Sequence, residues 1–153
     1  MSKVTMKAVI HPLAGILAMA TIASFWLATV ISELFLSVDA VIRVKQAIPM
    51  GLFLLIPLLM ITGGSGFSLG KNSTNPLIIQ KRRRMPFIAL NGLLVLVPSA
   101  LYLSWKAKNG SFDGYFYGVQ TLELIAGGVN LLLMSLNARD GRRCSSAKSP
   151  DKS

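Results

Sequence analysis

The chain has 153 residues, of which 52% are hydrophobic and 14% are charged. Ordinary soluble domains are about 45–50% apolar and about 25% charged, so the composition argues against a water-soluble fold. A net charge of +10 can indicate a nucleic-acid partner. Here the charges fall between long apolar runs, so we expect a bilayer with anionic head groups as the partner and no nucleic acid. The single cysteine, Cys144, excludes an intramolecular disulfide.

Four apolar runs are long enough to cross a bilayer, whose hydrocarbon core needs roughly 20 residues of helix. They cover residues 12–32, 47–62, 86–105 and 115–136, and none contains lysine or arginine. Backbone groups inside a bilayer must bond to each other, so each run predicts a helix. Pro57 and Pro98 lie inside two of these helices and predict kinks. The predicted fold is all-α, an integral membrane antiparallel four-helix bundle. It forms a single domain over residues 1–143, and residues 144–153 form a disordered cytoplasmic tail.

The basic residues are distributed unequally between the two sides of the predicted bundle. Twelve of the 16 lysines and arginines lie on the side that holds both termini, and the other side holds Arg43, Lys45, Lys106 and Lys108. Cytoplasmic flanks of membrane helices carry the excess of lysine and arginine. The pattern therefore predicts that both termini lie in the cytoplasm.

The connecting segments differ in length and character. Residues 33–46 mix apolar and charged side chains, and they predict either an interfacial helix or an extension of the first helix. Residues 63–85 form the largest predicted loop, which begins GGSGFSLGK. This stretch has phosphate-loop glycines, but Gly64 and Gly70 are one residue too far apart and Asn72 replaces the required serine or threonine. It therefore predicts a flexible turn.

Polar side chains form a stripe along the fourth apolar run. Gln120, Glu123, Asn130 and Asn137 follow one another at helical spacing, with Gly127 between them, so they share one face. Lipid cannot hydrogen-bond to such a face, which therefore points into the bundle. Counting residues from the cytoplasmic helix ends places Asn91 at a depth similar to that of Asn130, and it places Ser24 and Ser99 near the depth of Glu123. The predicted intramembrane polar seam comprises Gln120, Glu123, Asn130, Asn137, Asn91, Ser24 and Ser99.

Glu123 is the most informative residue of this seam. No lysine or arginine lies in any of the four apolar runs to pair with it, so we expect it to be mostly protonated at neutral pH and to lie near Ser24. One interpretation is structural, with a neutral glutamic acid that fixes the helix register. The other is functional, with a proton-binding group on a transport path.

Two further features could bind ligands. His11 is the only histidine, and it is a weak candidate for a metal or haem ligand because the other ligands that such a site needs are missing. We predict no metal, although haem or quinone remains a hypothesis. Lys81, Arg82, Arg83 and Arg84 predict a topology anchor that binds lipid head groups. The chain shows no nucleophile–base pair and no paired carboxylates, so enzyme activity has little support.

Three segments, IHPLAG, KRRRMPFIALNGLLVLVP and QTLELIAGGVNLLLMSLNARDG, together resemble a family of small four-helix bacterial inner-membrane proteins. The resemblance covers roughly residues 10–143 and implies that fold and membrane, but it implies no activity. Three hypotheses follow for the function. The chain is an accessory or assembly subunit that contacts other membrane subunits or itself, a small proton-coupled carrier or channel that uses Glu123, or a redox subunit associated with haem or quinone.

Overall fold

A computed structural model describes residues 2–147. These residues form four long helical spans, each apolar and long enough to cross a membrane. The third span consists of two α-helices joined by a π-helical turn at Gly92–Leu96. In chain order, the α-helices are α1 (Lys3–Phe35), α2 (Val38–Gly70), α3 (Pro76–Asn91), α4 (Val97–Lys108) and α5 (Gly114–Ala147). The all-α prediction is therefore confirmed.

Short polar side chains set the starting points of the helices. Ser2 accepts a hydrogen bond from the Thr5 backbone N–H at the start of α1, and Ser37 caps α2 in the same way. Asn75 caps α3 immediately before Pro76, a residue that suits the first helical position because its missing N–H is not needed there. The link between α1 and α2 consists of Leu36 and Ser37 alone.

All four spans are longer than the apolar runs that predict them. The segment 33–46 is neither an interfacial helix nor mainly an extension of α1, because most of it forms the first turns of α2. The predicted loop 63–85 is also mostly helical, and residues 71–75 alone separate α2 from α3. Helix α5 continues through residues 144–147, the start of the predicted disordered tail, and the rest of that tail lies outside the described residues. Charged and glycine-rich sequences can continue a helix beyond the hydrocarbon core, which hydropathy does not detect.

The distortion predicted at Pro98 takes the form of the π-helical turn. The Val97 backbone N–H bonds to the Gly92 carbonyl, five residues earlier. Because a proline inside a helix lacks an N–H and crowds the preceding turn, a wider turn just before Pro98 accommodates its ring. Helix α2 continues through Pro57.

The first and third spans each pack against the second and the fourth. Apolar side chains from all four spans meet in the main core, which includes Ala18, Ile22, Ile48, Leu52, Leu55, Ile88, Ala100 and Met134. Many large apolar side chains point outwards instead. Phe53, for example, is 85% exposed and Phe87 is 69% exposed. An outer surface of this kind is unsuited to water and compatible with a multi-pass membrane protein.

Candidate functional site

The polar stripe of α5 lies inside the helical packing. Gln120, Asn130 and Asn137 are all buried. The stripe continues one step further than the sequence analysis predicts, because Asp140 is also buried and follows Asn137 by three residues. Asp140 lies beyond the end of the predicted fourth run, although its spacing of three residues from Asn137 places it on the same helix face. The partners of these groups on the other helices define the candidate site.

Glu123 has a cationic partner, contrary to the sequence prediction. Its carboxylate accepts a hydrogen bond from the Lys45 ammonium group at 3.0 Å. The Lys45 side chain is 1% exposed and that of Glu123 is 12% exposed, so the pair is almost completely removed from the surroundings. Lys45 lies within α2, which begins nine residues before the predicted second run. The expectation of a protonated Glu123 rested on the absence of such a partner, and that reasoning is wrong.

Ser24 does not join the seam. Its side chain is exposed and its hydroxyl donates to the Ala20 carbonyl of its own helix, so the predicted contact with Glu123 is corrected. Trp26 instead makes a polar contact between α1 and α5, since its indole N–H donates to the Leu124 carbonyl at 2.8 Å. Gly127 allows this close approach, because a Cβ there would lie 3.2 Å from the Trp26 ring.

Two asparagines meet one another at a deeper level of the bundle. The Asn91 amide of α3 donates both to the Asn130 side-chain oxygen and to the Ala126 carbonyl, each at 2.8 Å. The Asn130 amide in turn donates to the Ile88 carbonyl at 3.3 Å. Asn130 is 1% exposed. The contact between Asn91 and Asn130 is the one that the depth count predicts, and it gives each of these side-chain amides a partner inside protein.

A cavity of about 50 Å³ lies between the Glu123 level and the core. Its walls are mainly apolar, with Glu123 and Thr29 among the few polar residues that line it. Pockets that take small organic ligands are usually about 300–1,000 Å³. A cavity needs about 10–15 Å³ of such volume to hold a water molecule, so this cavity has room for water and is much smaller than those pockets.

Two buried acceptor oxygens near the end of the bundle opposite the termini are not satisfied. They belong to Glu33 in the last turns of α1 and to Gln120, and neither finds a hydrogen-bond donor among the described residues. Ser99 is buried on α4, in a shallow groove between the third and fourth spans that Tyr102 and Leu122 also line. Gln120 and Ser99 are therefore buried, but the structure gives neither of them a hydrogen bond to the Lys45–Glu123 ion pair.

One end of the bundle is rich in lysine and arginine, and we call it the basic end. It holds the start of α1, the end of α2, the start of α3 and the end of α5. The four consecutive cations of α3 have different surroundings there. Arg84 forms an ion pair with Asp140 at 2.7 Å and also donates to Asn137. Arg82 donates to the carbonyls of Gly70 and Lys71 at the end of α2. Lys81 contacts His11, and Arg83 is exposed.

His11 is held by three helices. Its Nδ1 lies 3.0 Å from the Thr62 carbonyl, and its Nε2 lies 2.9 Å from the Lys81 ammonium nitrogen. An ammonium group can only donate, so Nε2 accepts and Nδ1 carries the proton that it donates to Thr62. A metal or haem iron bound at either nitrogen would have to displace one of these contacts. Among the described residues, no group of three histidine, cysteine, aspartate or glutamate side chains could hold a metal ion.

The GGSG stretch lies within helix α2 and not in the predicted flexible turn, and its Gly66 packs against His11. A Cβ at Gly66 would lie 2.7 Å from the Cε1 atom of His11. The glycine therefore provides space for the imidazole ring against α2. Neighbouring Ser65 also contacts the ring, with its hydroxyl oxygen 3.2 Å from Nδ1.

Outside the predicted membrane region, Asp113 immediately precedes α5 and forms an ion pair with Lys106 at 2.6 Å. Its other carboxylate oxygen accepts the Phe116 backbone N–H. The hydrogen bond from Lys106, followed by the one from Phe116, lowers the pKa of Asp113 below its ordinary value.

Comparisons of this chain with known protein families, with curated proteins and with solved structures gave no match.

Proposed function

We propose that this chain is a multi-pass protein of the bacterial inner membrane, an antiparallel four-helix bundle with both termini in the cytoplasm. We further propose that it acts as an accessory or assembly subunit. In this role the polar seam fixes the arrangement of the helices, and the apolar outer surface contacts other membrane subunits. The charge distribution and the family resemblance support the membrane and the orientation.

One observation carries the accessory role: three polar side chains of α5 bond to other helices of the bundle, at three successive depths. Asp140 pairs with Arg84, Asn130 with Asn91, and Glu123 with Lys45. Groups that bond to each other in this way stabilise one arrangement of the helices. The cavity beside them is much smaller than the pockets that usually take organic ligands, which argues against a carrier for such compounds.

A proton carrier is the second candidate, and specific observations favour it. The Lys45–Glu123 ion pair adjoins a cavity with room for water. Glu33 and Gln120 hold buried oxygens that lack donors among residues 2–147, and both lie towards the same end. Such oxygens accept hydrogen bonds from water, which would connect Glu123 with that end of the bundle.

Proton flux distinguishes the two candidates. The purified protein would be reconstituted into liposomes that contain a pH-sensitive dye, and the dye response to an imposed pH gradient would be compared with protein-free liposomes. We expect equal rates. A faster rate that Glu123→Gln abolishes, while the variant stays folded, would replace the accessory role with the carrier.

Contact with a partner is tested separately in cells. A photo-crosslinking residue would replace Leu122, which lines the outer groove between the third and fourth spans, and Leu13 on α1 as a second outward position. We expect a discrete protein adduct from at least one outward position. Adducts to lipid alone from every outward position of the four helices would contradict the accessory role.

A further inference from the structure

His11 connects two spans that do not pack against each other. The first and third spans each pack against the second and the fourth, so they lie across the bundle from one another. At the basic end the Lys81 side chain of α3 nevertheless reaches α1, and its ammonium nitrogen lies 2.9 Å from His11 Nε2. This contact therefore braces α1 against α3 across the bundle.

The position of the imidazole ring decides which of its nitrogens can gain a proton. Nδ1 lies 3.0 Å from the Thr62 carbonyl oxygen, and the space at Gly66 accommodates the ring. A carbonyl oxygen can only accept, so Nδ1 carries the proton of the neutral ring and the Nε2 lone pair accepts from Lys81. A second proton can bind only at Nε2, which is the atom that the Lys81 ammonium group contacts.

The charged groups around His11 are mostly cations. Helix α2 meets the ring through two hydroxyl residues and a glycine, none of which is charged. The Lys81 ammonium group also lies against α5, since a Cβ at Gly141 would be 3.4 Å from its nitrogen. The other charged side chains that the described residues place at the basic end are Lys3, Lys7, Lys71, Arg82, Arg83, Arg84, Arg139, Asp140, Arg142 and Arg143.

We propose that the contact between His11 and Lys81 is a pH-sensitive brace, which forms while His11 is neutral and opens when the ring takes up a second proton. The proton comes from water and binds Nε2, which then has no lone pair for Lys81. Two cations would face each other across the 2.9 Å of the present contact, and like charges at such a distance repel. The Lys81 side chain therefore leaves α1, whereas Nδ1 keeps its bond to Thr62.

Asp140 does not offset this repulsion. It is the one carboxylate in the set of charged residues above, and it is already bound to Arg84 and Arg139. A protonated His11 thus gains no anionic partner among the described residues of the basic end, which makes release of Lys81 the favoured response.

The direction of the pH dependence follows from the proton count. The brace is complete at a pH above the titration of His11 and is lost as the pH falls through it, and an ordinary histidine titrates near about pH 6.5. Acidification on the side of the basic end therefore loosens α3 from α1. This response requires neither proton flux through the bundle nor a partner subunit, so it is tested independently of the accessory role.

The protonation of His11 can be followed directly, because it is the only histidine and gives one pair of ring-nitrogen signals. Protein labelled with ¹⁵N-histidine would be titrated in detergent micelles from about pH 8 to about pH 4. We expect a neutral ring that carries its proton on Nδ1, and a single titration midpoint. A neutral ring with its proton on Nε2 would overturn the proposal, because that nitrogen could not accept from Lys81.

A distance between α1 and α3 reports the brace itself. Spin labels would be attached through Val9→Cys and Gln80→Cys, two exposed positions, in a chain that also carries Cys144→Ser. Pulsed electron paramagnetic resonance would measure the separation of the labels over the same pH range. We expect the distance distribution to shift to longer values or to broaden in acid, with the midpoint at which His11 titrates.

Two variants distinguish the brace from other effects of acid. His11→Gln is the matched control, because its amide oxygen can accept from Lys81 but cannot titrate in this range, so the label separation should stay at its neutral-pH value. Lys81→Met removes the donor and should give the acid distribution at every pH. The proposal fails if the separation is unchanged when His11 is protonated, if its midpoint differs from that of His11, or if His11→Gln responds to acid as the native chain does.

Discussion

The contact between the first two spans differs in kind from the contact between the last two. Helices α1 and α2 meet mainly through apolar side chains and glycines, with Gly51 against the Phe25 ring. Their polar contacts lie at the basic end, where His11 packs against Gly66 and bonds to the Thr62 carbonyl. The third and fourth spans are joined by polar pairs at three depths, which are Arg84–Asp140, Asn91–Asn130 and Lys106–Asp113. Lys45–Glu123 and the Trp26 indole then connect the first pair of spans to α5.

This difference shows two ways to specify how helices pack among apolar surroundings. Lipid tails are as apolar as leucine, so apolar contact alone does not select one register. A link of two residues already restricts the register of α1 and α2, and glycine–ring contacts refine it. The link between the third and fourth spans is longer, with residues 109–113 outside the helices. Because this longer link restricts the register of the third and fourth spans less, directional hydrogen bonds between them have a larger part in fixing it. Substitutions in each region test this distinction.

The largest effect should come from the ion pair between the two regions. Lys45→Met leaves the Glu123 carboxylate buried without its partner, and removal of one member of a buried pair typically costs about 3–5 kcal/mol. We expect a loss of that order in the free energy of unfolding, measured by denaturation in mixed micelles. The double variant Lys45→Met/Glu123→Gln should recover most of the loss, because no charge is then left unpaired. Equal stability of the single and double variants would show that the two side chains are not coupled.

A smaller effect is expected from the glycine contact of the first region. Gly66→Ala places a methyl group against the His11 ring, which is held on both nitrogens, and overpacking typically costs about 1–3 kcal/mol. Gly64→Ala is the matched control, since a Cβ there meets nothing within 4 Å. It should stabilise α2 by about 0.5–1 kcal/mol, because alanine favours helix over glycine. If Gly66→Ala also stabilised the protein, the ring would not be fixed as described.

The amide pair of the second region should have an effect of similar or smaller size. Asn130→Leu removes the bonds to Asn91 and Ile88, and interhelical hydrogen bonds in membrane proteins contribute about 0.6 kcal/mol on average and at most about 1.7. We expect a loss of about 1–2 kcal/mol in the same denaturation experiment. Thr121→Val is the control, because that exposed hydroxyl bonds to the Tyr117 carbonyl within α5. A variant as stable as the native chain would remove this pair from the interactions that fix the register.

The sequence was sufficient for the contact between two amides inside the apolar runs. Asn91 and Asn130 both lie in such runs, so counting residues from the helix ends predicts their contact. Lys45 lies outside the predicted second run, because hydropathy ends such a run at the first charge. A helical pattern was nevertheless present, since Val41, Lys45, Ile48 and Leu52 follow at steps of four, three and four. All four are buried.

Other hydrogen-bond partners depend on how individual side chains are oriented, which sequence patterns do not predict. Nothing in the sequence distinguishes Ser24, which bonds to its own helix, from a hydroxyl that crosses to α5. The run of four cations in α3 looks uniform, but helical geometry directs Arg82 to the end of α2 and Arg84 to Asp140. Rotation of each residue by about 100° around the helix divides such a run among different neighbours.

The smallest effect is expected at the outer ion pair of the second region. Lys106 and the Phe116 N–H lower the pKa of Asp113 in the folded state, so the ionised carboxylate favours folding. Its contribution is complete above the ordinary pKa of an aspartate, and it is lost as the pH falls through the lowered folded value. Asp113→Asn keeps an acceptor for the Phe116 N–H but cannot ionise. The native chain should therefore be slightly more stable than this variant at neutral pH, and the difference should disappear in acid.

Because the Asp113 side chain is 48% exposed, water and salt screen the pair, and added salt should reduce the difference at neutral pH as well. If the stability difference between the native chain and Asp113→Asn persisted unchanged in acid, it would come from the hydrogen bond to the Phe116 N–H. The charge of the Lys106–Asp113 pair would then contribute nothing, and hydrogen-bond geometry would account for the polar pairs at all three depths.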